Sequence, residues 1–568
     1  MFYIADDHLL VITLLYCLVP IAFAILTSLY SKSKAPYILL ALTLIIEFLV
    51  VYFCLPSRNL LSIIYGNTFW GIVWAIGFFV PDTWDKNEKQ WTAKVAQVVI
   101  ALLLLAISLG GCAHSHMSVK PTWDSISKTY SKSTEAPTFK RGETPIALAP
   151  KTVLNRVRKA SSDIPHTQYF SISDNVQAQY YQGKPVYVVP IEYNGLWAMQ
   201  KAQEIPGYFI IDATRQGATP KFVKKPYNYA TSAYFGKDAE RQIYRHMPEW
   251  LSLGSPQLEI DDNGTPYWVE TLYKPEMLSH RVNWSKLNIA VMNAQTGAVK
   301  NYAPDKLPKF IDEGITTGIA NEINNDFGKY KYGFWNWSKT DVMKPTGNGV
   351  EDGVTSVFNK DGSISYFTDF TTDKTGSDSA LGYSMINART GHLTFYKANN
   401  IMDSDGALNN AKQDYRAQRW HPAMPILYNV NGHPTWVMTI TDSTHAIRGY
   451  YYLDATDQSI YGTGSNPTSA LDSFRQALVN GGASAGNTQG AKKKTITGTI
   501  DRVVVLSNQN KVMFTLKGKL KTVYTINLND YANAALTRPN DKVKFKANVV
   551  DNKSVGNVSK WTNYNLNS

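Results

Sequence analysis

Four apolar runs fill the first 112 residues, and none follows in the remaining 456. They are Leu9–Tyr30, Tyr37–Pro56, Asn59–Val80 and Val95–Gly111. A helix needs about 20 apolar residues to cross a hydrocarbon layer about 30 Å thick, and each run is near that length. The pattern predicts a membrane helical anchor of four transmembrane helices carrying a large body in water. The first run has no positive stretch before it and is too long for a cleaved leader.

Charge in the short loops predicts which way the chain runs, because Lys and Arg are retained on the cytoplasmic side. The first loop carries Lys32 and Lys34, and the third carries Lys86, Lys89 and Lys94. The second loop has only Arg58, and the tail Met1–His8 has two Asp and no Lys or Arg. Asp82, Asp85 and Glu88 dilute the third loop. The bias still places the tail and second loop outside. Four crossings then return the chain to the outside, so the body is expected to be extracytoplasmic in a multi-pass cell-membrane protein.

The body has no cysteine beyond Cys112, and Cys17 and Cys54 lie within apolar runs. That excludes a stapling disulfide and a thiolate metal site in the body. A cysteine-free exported body fits the surface of a Gram-positive bacterium. Leu109-Gly-Gly-Cys112 is similar to a lipoprotein processing site, but such sites are unusual inside a chain, and coincidence is the preferred reading. The net charge is +12, and residues 492–568 hold fourteen Lys and Arg against four Asp, ten of those twelve charges. Such a field attracts polyanions.

Polar residues from Ala113 to about Pro145 predict a tether, followed by an amphipathic helix over Leu148–Ala160. Two internal repeats come next. Gly264, Pro266, Trp268 and Val269 recur as Gly432, Pro434, Trp436 and Val437 at a constant offset of 168. Asn-Gly at 263–264 and 431–432 predicts two tight hairpins. A second element occurs four times: an apolar strand ending in Asx, then Ala, then a turn. Its acidic or amide residues are Asp212, Asn293, Asn387 and Asp454. An Asx side chain bonds to backbone two residues on, which favours such turns. Helices are expected over Ser232–Trp250, Pro308–Asp326, Ala407–Arg419 and Thr468–Val479.

The helix–strand–strand–strand order ending in an Asp-Ala-x-Thr-Gly-type turn resembles the PepSY domain over Ser232–Tyr302 and Ala407–Tyr461. Asn293 and Asn387 replace the usual Asp, and Gln216 and Gln458 stand where the closing Gly is expected. The resemblance implies a binding or inhibitory module of the cell envelope, often linked to peptidases or wall metabolism; it does not imply catalysis. The last segment has strand signals over Thr495–Leu506, Lys511–Leu516, Thr522–Leu528, Lys542–Val550 and Val555–Trp561. With a short helix at Asp530–Leu536, it looks like an OB-fold barrel. The expected fold class is therefore a four-helix membrane anchor, an α+β body of duplicated PepSY-like units, and a small all-β OB-like barrel. The expected divisions are 1–112 (anchor), 113–165 (tether and short helix), 166–335 and 336–480 (two related halves), 481–493 (Gly-rich linker) and 494–568 (basic domain).

No nucleophile elbow, His-Glu-x-x-His pair or phosphate loop is present, and no cofactor or metal is expected. Asp403-Ser-Asp-Gly406 resembles the start of a calcium loop but has Ile401 where an acid is needed, so a helix cap on Ser404 or Asp405 is preferred. His114 and His116 lack a third ligand. Asp261 and Asp262 sit in a hairpin turn. Glu47 lies in the middle of the second apolar run, where an intramembrane acid needs a partner; Asn67 and Tyr65 are the candidates. At least half of Trp268, Trp436, Tyr450, Tyr451 and Tyr452 are expected in the core. Lys517, Lys519, Lys521, Lys542, Lys544 and Lys546 place several ammonium groups on one strand face. They serve either as edge protection or as a polyanion surface, with Phe514, Tyr524 and Phe545 available to stack on bases unless all three are buried.

The function expected from these features is binding or regulation at the membrane surface, without catalysis. The partners expected are the lipid bilayer and a wall polymer, an envelope protein or nucleic acid. The alternatives are a polyanion receptor and a membrane enzyme or transporter subunit using Glu47.

Overall fold

The structure is a computed structural model. It describes residues 7–29, 34–77, 88–131, 148–275, 279–347, 353–373, 378–398, 400–430, 432–480, 492–506, 511–528, 530–550 and 553–566.

The N-terminal bundle comprises α1 (Asp7–Tyr16), α2 (Leu18–Ser28), α3 (Ala35–Cys54), α4 (Leu60–Gly77) and α5 (Glu88–Met117). The expected four transmembrane helices are corrected here. Among the described residues only Ala35–Cys54 and Trp91–Met117 are long and apolar enough to cross a membrane, and α1 with α2 makes a third span only if the pair, bent by 59°, is counted as one. The apolar part of α4, Leu60–Ile76, is shorter. The bend in the first run has a local cause. Pro20 has no N–H to give to the Tyr16 carbonyl, so the helix ladder opens. The amide of Asn67 enters the gap: its Oδ1 accepts from the Val19 N–H at 2.8 Å and its Nδ2 donates to the Leu15 carbonyl at 2.8 Å. In an unbroken helix those two backbone groups would bond each other. One side chain thus satisfies both ends of a broken turn.

Further polar pairs tie the bundle, as they do where helices meet in lipid. Glu47 accepts from Trp70 Nε1 at 2.7 Å, so its partner is neither Asn67 nor Tyr65. Trp74 Nε1 donates to Thr43 at 3.2 Å, Gln97 to Thr27 at 3.0 Å, and Thr68 and Ser108 share a bond of 2.7 Å.

The expected tether is also corrected over 113–131. There α5 runs on to Met117, followed by α6 (Val119–Ser125) and β1 (Lys128–Tyr130). Trp123 holds this stretch to the body. Its Nε1 donates to the Phe327 carbonyl at 2.9 Å, and Lys128 lies 3.8 Å from its ring centre. Composition suggests a linker, but one Trp among the polar residues supplies the anchor point.

The body is built from four units, each a helix followed by an antiparallel sheet. The first has α7 (Pro150–Lys159), β2 (Phe170–Ile172), β3 (Gln177–Tyr181), β4 (Lys184–Val189), β5 (Ile191–Tyr193), α8 (Leu196–Ala202), β6 (Ile205–Asp212) and β7 (Lys221–Tyr227). Its main sheet runs β3-β4-β6-β7. The second has α9 (Ala239–His246), β8 (Leu251–Ser252), β9 (Gln257–Ile260), β10 (Pro266–Tyr273), β11 (Leu287–Asn293) and β12 (Val299–Tyr302). Its order is β12-β11-β10, with β8 and β9 both pairing to β10. The third has α10 (Thr317–Lys329), β13 (Met343–Pro345), β14 (Thr355–Phe358), β15 (Ile364–Thr372), β16 (Ala380–Asn387) and β17 (Leu393–Lys397). Strand β1 adds to it in parallel beside β17. The fourth has α11 (Ser404–Asp414), β18 (His421–Val430), β19 (His433–Thr441), β20 (Ile447–Asp454), β21 (Tyr461–Gly464) and α12 (Pro467–Asn480).

The four Asx turns are one device used four times. In each, the Asx Oδ1 accepts backbone N–H bonds from the second and third residues on, as Asp212 does from Thr214 at 2.9 Å and Arg215 at 3.0 Å. Asn293, Asn387 and Asp454 repeat the pattern. The Ala that follows is at most 1 % exposed in every copy. Its N–H donates to the first residues of the neighbouring hairpin strand: Ala213 to Pro185, Ala294 to Pro266, Ala388 to Ile364 and Ala455 to Pro434, at 2.8–3.0 Å. Its carbonyl accepts from the segment that leads into the same unit's helix: from Leu148, Tyr229, Ile315 and Met402. An aromatic two residues into the hairpin strand then closes the circuit. Trp268 donates to the Tyr229 carbonyl at 2.7 Å, Tyr366 to Ile315 at 2.8 Å and Trp436 to Met402 at 3.0 Å. In the first unit Tyr187 holds the equivalent place, but its hydroxyl has no partner among the described residues.

The terminal unit comprises β22 (Lys492–Leu506), β23 (Lys511–Leu516), β24 (Lys519–Asn527), β25 (Lys542–Val550) and β26 (Lys553–Asn563). The expected OB-like barrel is corrected to a ring, β22-β23-β24-β26-β25, whose β24–β26 seam among the described residues is the one parallel pair Thr525–Asn557. Its core is Phe514, Tyr524, Phe545 and Trp561 with aliphatic neighbours.

Replacing Trp436 by Phe keeps the ring in the core but leaves the Met402 carbonyl without its side-chain donor. An unsatisfied buried group costs about 1–3 kcal/mol. Trp561 is as large, yet its Nε1 has no partner among the described residues, so Trp561→Phe loses no bond. Denaturant titration with protease susceptibility as readout is expected to show the larger loss for Trp436→Phe.

Candidate functional site: cationic surfaces and buried carboxyls

The terminal lysines are placed by strand alternation. In β25, Val543, Phe545 and Ala547 are buried. Lys542 and Lys544 between them are exposed and Lys546 is half-buried. Opposite the three lysines on β22 stand Thr499, Thr497 and Thr495; on β26, Thr562 faces Lys544 and Ser559 faces Lys546. Lys517 and Lys519 are exposed at the β23–β24 turn, where Gly518 takes φ +76°. The Lys517 N–H donates to the Thr499 carbonyl at 2.9 Å, and Thr499 pairs with Lys542, so the turn lies beside the end of the lysine row. The side chain of Lys521 lies outside the described residues. None of the other five forms an ion pair among the described residues. The result is a face of ammonium and hydroxyl groups.

The stacking expected beside it is absent at the residues named for it. Phe514, Tyr524 and Phe545 are 1, 2 and 0 % exposed and pack on one another. They stay in the core, so this face offers charge and hydrogen bonds rather than a platform for bases.

A second cationic surface lies where α5 ends. A cavity of about 530 Å³ opens between His116, Arg281, Lys329, Tyr330 and Lys344. Arg281 donates to the Ser115 carbonyl at 3.0 Å, and both Arg281 and Lys329 lie 5.4 Å from the Tyr330 ring centre. Lys339 on its rim is held by Asp373 at 2.6 Å.

A third feature was not visible in the sequence. Glu259, Asp312 and Glu313 are 0, 7 and 4 % exposed and meet between the first three units. Glu259 accepts the backbone N–H of Asp312 at 2.7 Å and of Glu313 at 3.0 Å. Asp312 accepts from the Tyr180 N–H at 2.6 Å, and Glu313 from Gln177 Nε2. Leu258 and Ile260 flank Glu259, so alternation alone reads it as facing water. Instead its side of β9 is covered by Gln179, which donates to the Ile260 carbonyl, and by the chain around Phe310. Burial pushes Glu259 well above the usual carboxylate range and Glu313 up to about 8. Burial also raises Asp312 to about 6, with the Tyr180 N–H and the Arg389 charge holding it back. The cluster therefore takes up protons on folding.

The other nominated residues have structural roles. Asp212, Asn293, Asn387 and Asp454 hold the repeat turns. Asp403, rather than Ser404 or Asp405, caps α11, accepting from the Gly406 N–H at 3.0 Å. Asp261 accepts from Asn263 and Thr265 in its turn. Asn431 of the second Asn-Gly turn lies outside the described residues. Trp268, Trp436, Tyr450, Tyr451 and Tyr452 are all in the core. His114 bonds Ser118, and the His116 ring packs against Phe334. No group of three or more His, Cys, Asp or Glu able to hold a metal occurs among the described residues.

No family model and no curated protein matches the sequence. Among solved structures the chain is weakly similar to the YpeB C-terminal domain of Bacillus megaterium, at 13 % identity and a TM-score of 0.10, covering 43 % of this chain and 96 % of that one. It is also matched to a mannose phosphorylase from Leishmania mexicana, MPT-4, at 9 % identity and a TM-score of 0.14, covering 71 % and 89 %. The polysaccharide lyase Uly1 follows at 11 % and 0.15, covering 68 % and 71 %. At these scores the likenesses carry no argument about fold or activity.

The carboxyl cluster makes stability depend on pH with a definite sign. A carboxyl whose folded pKa is raised contributes fully below its unfolded pKa, and that contribution is lost as pH rises through the folded value. For Glu313 the window runs from its ordinary 4.5 to about 8. Stability is expected to fall across it, by at most about 1.4 kcal/mol per pH unit for one group. Glu313→Gln keeps the acceptor for Gln177 without the proton, so its stability curve is expected to be flatter between pH 5 and 8. Denaturation midpoints read at each pH test this.

Proposed function

We propose that the chain is a membrane-anchored protein of the cell envelope whose extracytoplasmic body binds its ligands without catalysis. The terminal lysine face serves as its polyanion surface. The observation that carries this is the run Lys542, Lys544 and Lys546 with Lys517 and Lys519 beside it, bordered by hydroxyls. A phosphate-bearing polymer of the wall, which alternates anionic and hydroxyl groups, suits such a face better than single-stranded nucleic acid, which needs stacking partners.

Sidedness supports the same reading. Tyr52 and Pro56, at the C-terminal end of α3, accept from Arg241 and Tyr244 of the body, and Ser115 near the end of α5 accepts from Arg281. Lys34 precedes the opposite, N-terminal end of α3, about 30 Å away at 1.5 Å per residue. Lysines far from the body favour a body outside the cell. The PepSY-like reading of the repeats belongs to this proposal. It rests on the turn motif and adds a binding or inhibitory role toward an envelope protein.

Full-length protein in detergent is expected to bind a fluorescent polyglycerol phosphate with steep salt dependence. In Lys542→Gln/Lys544→Gln/Lys546→Gln, affinity falls and the slope of log K against log salt shrinks by about 2, at about 0.7–0.9 for each phosphate no longer neutralised. Unchanged binding and slope would remove the lysine face from the proposal. Protease added to intact cells is expected to cut the body. A body protected until lysis would reverse the orientation.

A further inference from the structure

The loop that follows α10 reads Tyr330-Lys-Tyr-Gly-Phe-Trp-Asn-Trp337. Its aromatics face outward: Tyr332 is 50 %, Phe334 36 %, Trp335 65 % and Trp337 79 % exposed. Single exposed apolar residues are ordinary, but four large rings in six residues are not. Three of them touch in a row, with ring centres 5.1 Å apart for Phe334 and Trp335 and 5.9 Å for Trp335 and Trp337.

Their position gives them a use. The Phe334 ring lies 5.3 Å from His116, next to the last residue of the apolar helix Trp91–Met117. The apolar run itself ends at Gly111, so His116 stands about 7.5 Å further along the axis at 1.5 Å per residue. That is headgroup depth. Trp and Tyr concentrate at that depth because their rings are apolar and their N–H or O–H groups are wet. Lys329 and Lys331 alternate with Tyr330 and Tyr332 and suit a phosphate layer; Lys331 is also paired with Asp341, and Lys339 with Asp373, each at 2.6 Å. A second exposed aromatic pair, Tyr234 at 39 % and Phe235 at 41 %, lies just before α9, the helix whose Arg241 and Tyr244 dock on the end of α3.

We propose that the loop 330–337 lies in the headgroup layer of the membrane that holds α3 and α5, and that the body thereby rests on the bilayer. This rests on the membrane-anchor reading and is independent of polyanion binding. The lipid surface is preferred to a second copy of the chain because the patch continues directly from the end of a helix apolar enough to span.

The test uses full-length protein with Cys17, Cys54 and Cys112 changed to Ser, reconstituted into phosphatidylcholine–phosphatidylglycerol vesicles. A polarity-sensitive fluorophore is attached at Trp337→Cys, at Leu536→Cys in the terminal unit, or at Ile38→Cys on the exposed flank of α3. The expected result is that the 337 label loses most of its emission to a headgroup nitroxide lipid and little to iodide, while the 536 label does the reverse. The 38 label is quenched by an acyl-chain nitroxide, which establishes the anchor. A 337 label behaving like the 536 label overturns the inference. So does a 337 label shielded from both quenchers, which would point to a protein partner. A 38 label that ignores the acyl-chain nitroxide removes the anchor and the inference with it.

Discussion

The alanine peptide in each Asx turn is the contact on which the body's architecture depends. Its N–H is spent on the hairpin strand and its carbonyl on the segment leading to the helix, so three parts of a unit meet at one buried residue. Buried amides must be paired, and these two bonds pair both polar groups of the residue. The small side chain permits the approach; a larger one would overpack the site. Three of the four units add an aromatic donor to the same segment. The sheets therefore close one by one, and the connectors between them are left to pack against neighbours.

Those neighbour contacts hold the molecule's less ordinary chemistry. The Glu259, Asp312 and Glu313 carboxyls sit where three units converge, and each is partnered mainly by backbone or amide N–H groups. At neutral pH the cluster retains protons that the unfolded chain would release, so the joint between units is tighter in mild acid. The bundle solves a related problem differently. Asn67 fills both halves of the broken turn at Pro20, and Trp70 gives Glu47 a neutral donor. Both devices keep polar groups satisfied without a counter-ion.

Local patterns were legible where local chemistry decides. The Asx-Ala turns, the hairpin at Gly264 and the outward lysines of β25 follow from side-chain preference and period-two alternation. The element that recurs four times in the sequence marks all four units, although longer similarity shows only between halves. What the sequence hid was tertiary. Apolar length alone counted four spans, because the break at Cys17 depends on Pro20 and on a side chain 47 residues further on. Trp123 looked like one polar-tether residue until Phe327 supplied its partner. Glu259 alternates like a surface residue, and only the packing of β3 and the 310 region buries it. Phe514, Tyr524 and Phe545 are aromatic on a basic strand set, and the inner face of the ring claims them.

Amide hydrogen exchange at Ala213, Ala294, Ala388 and Ala455 examines the closing contact most directly. All four are expected to exchange as slowly as the central amides of β6, β11, β16 and β20, and far more slowly than the turn amide of Asn263. Exchange at the rate of that exposed turn would show that the units are not closed through their alanine peptides.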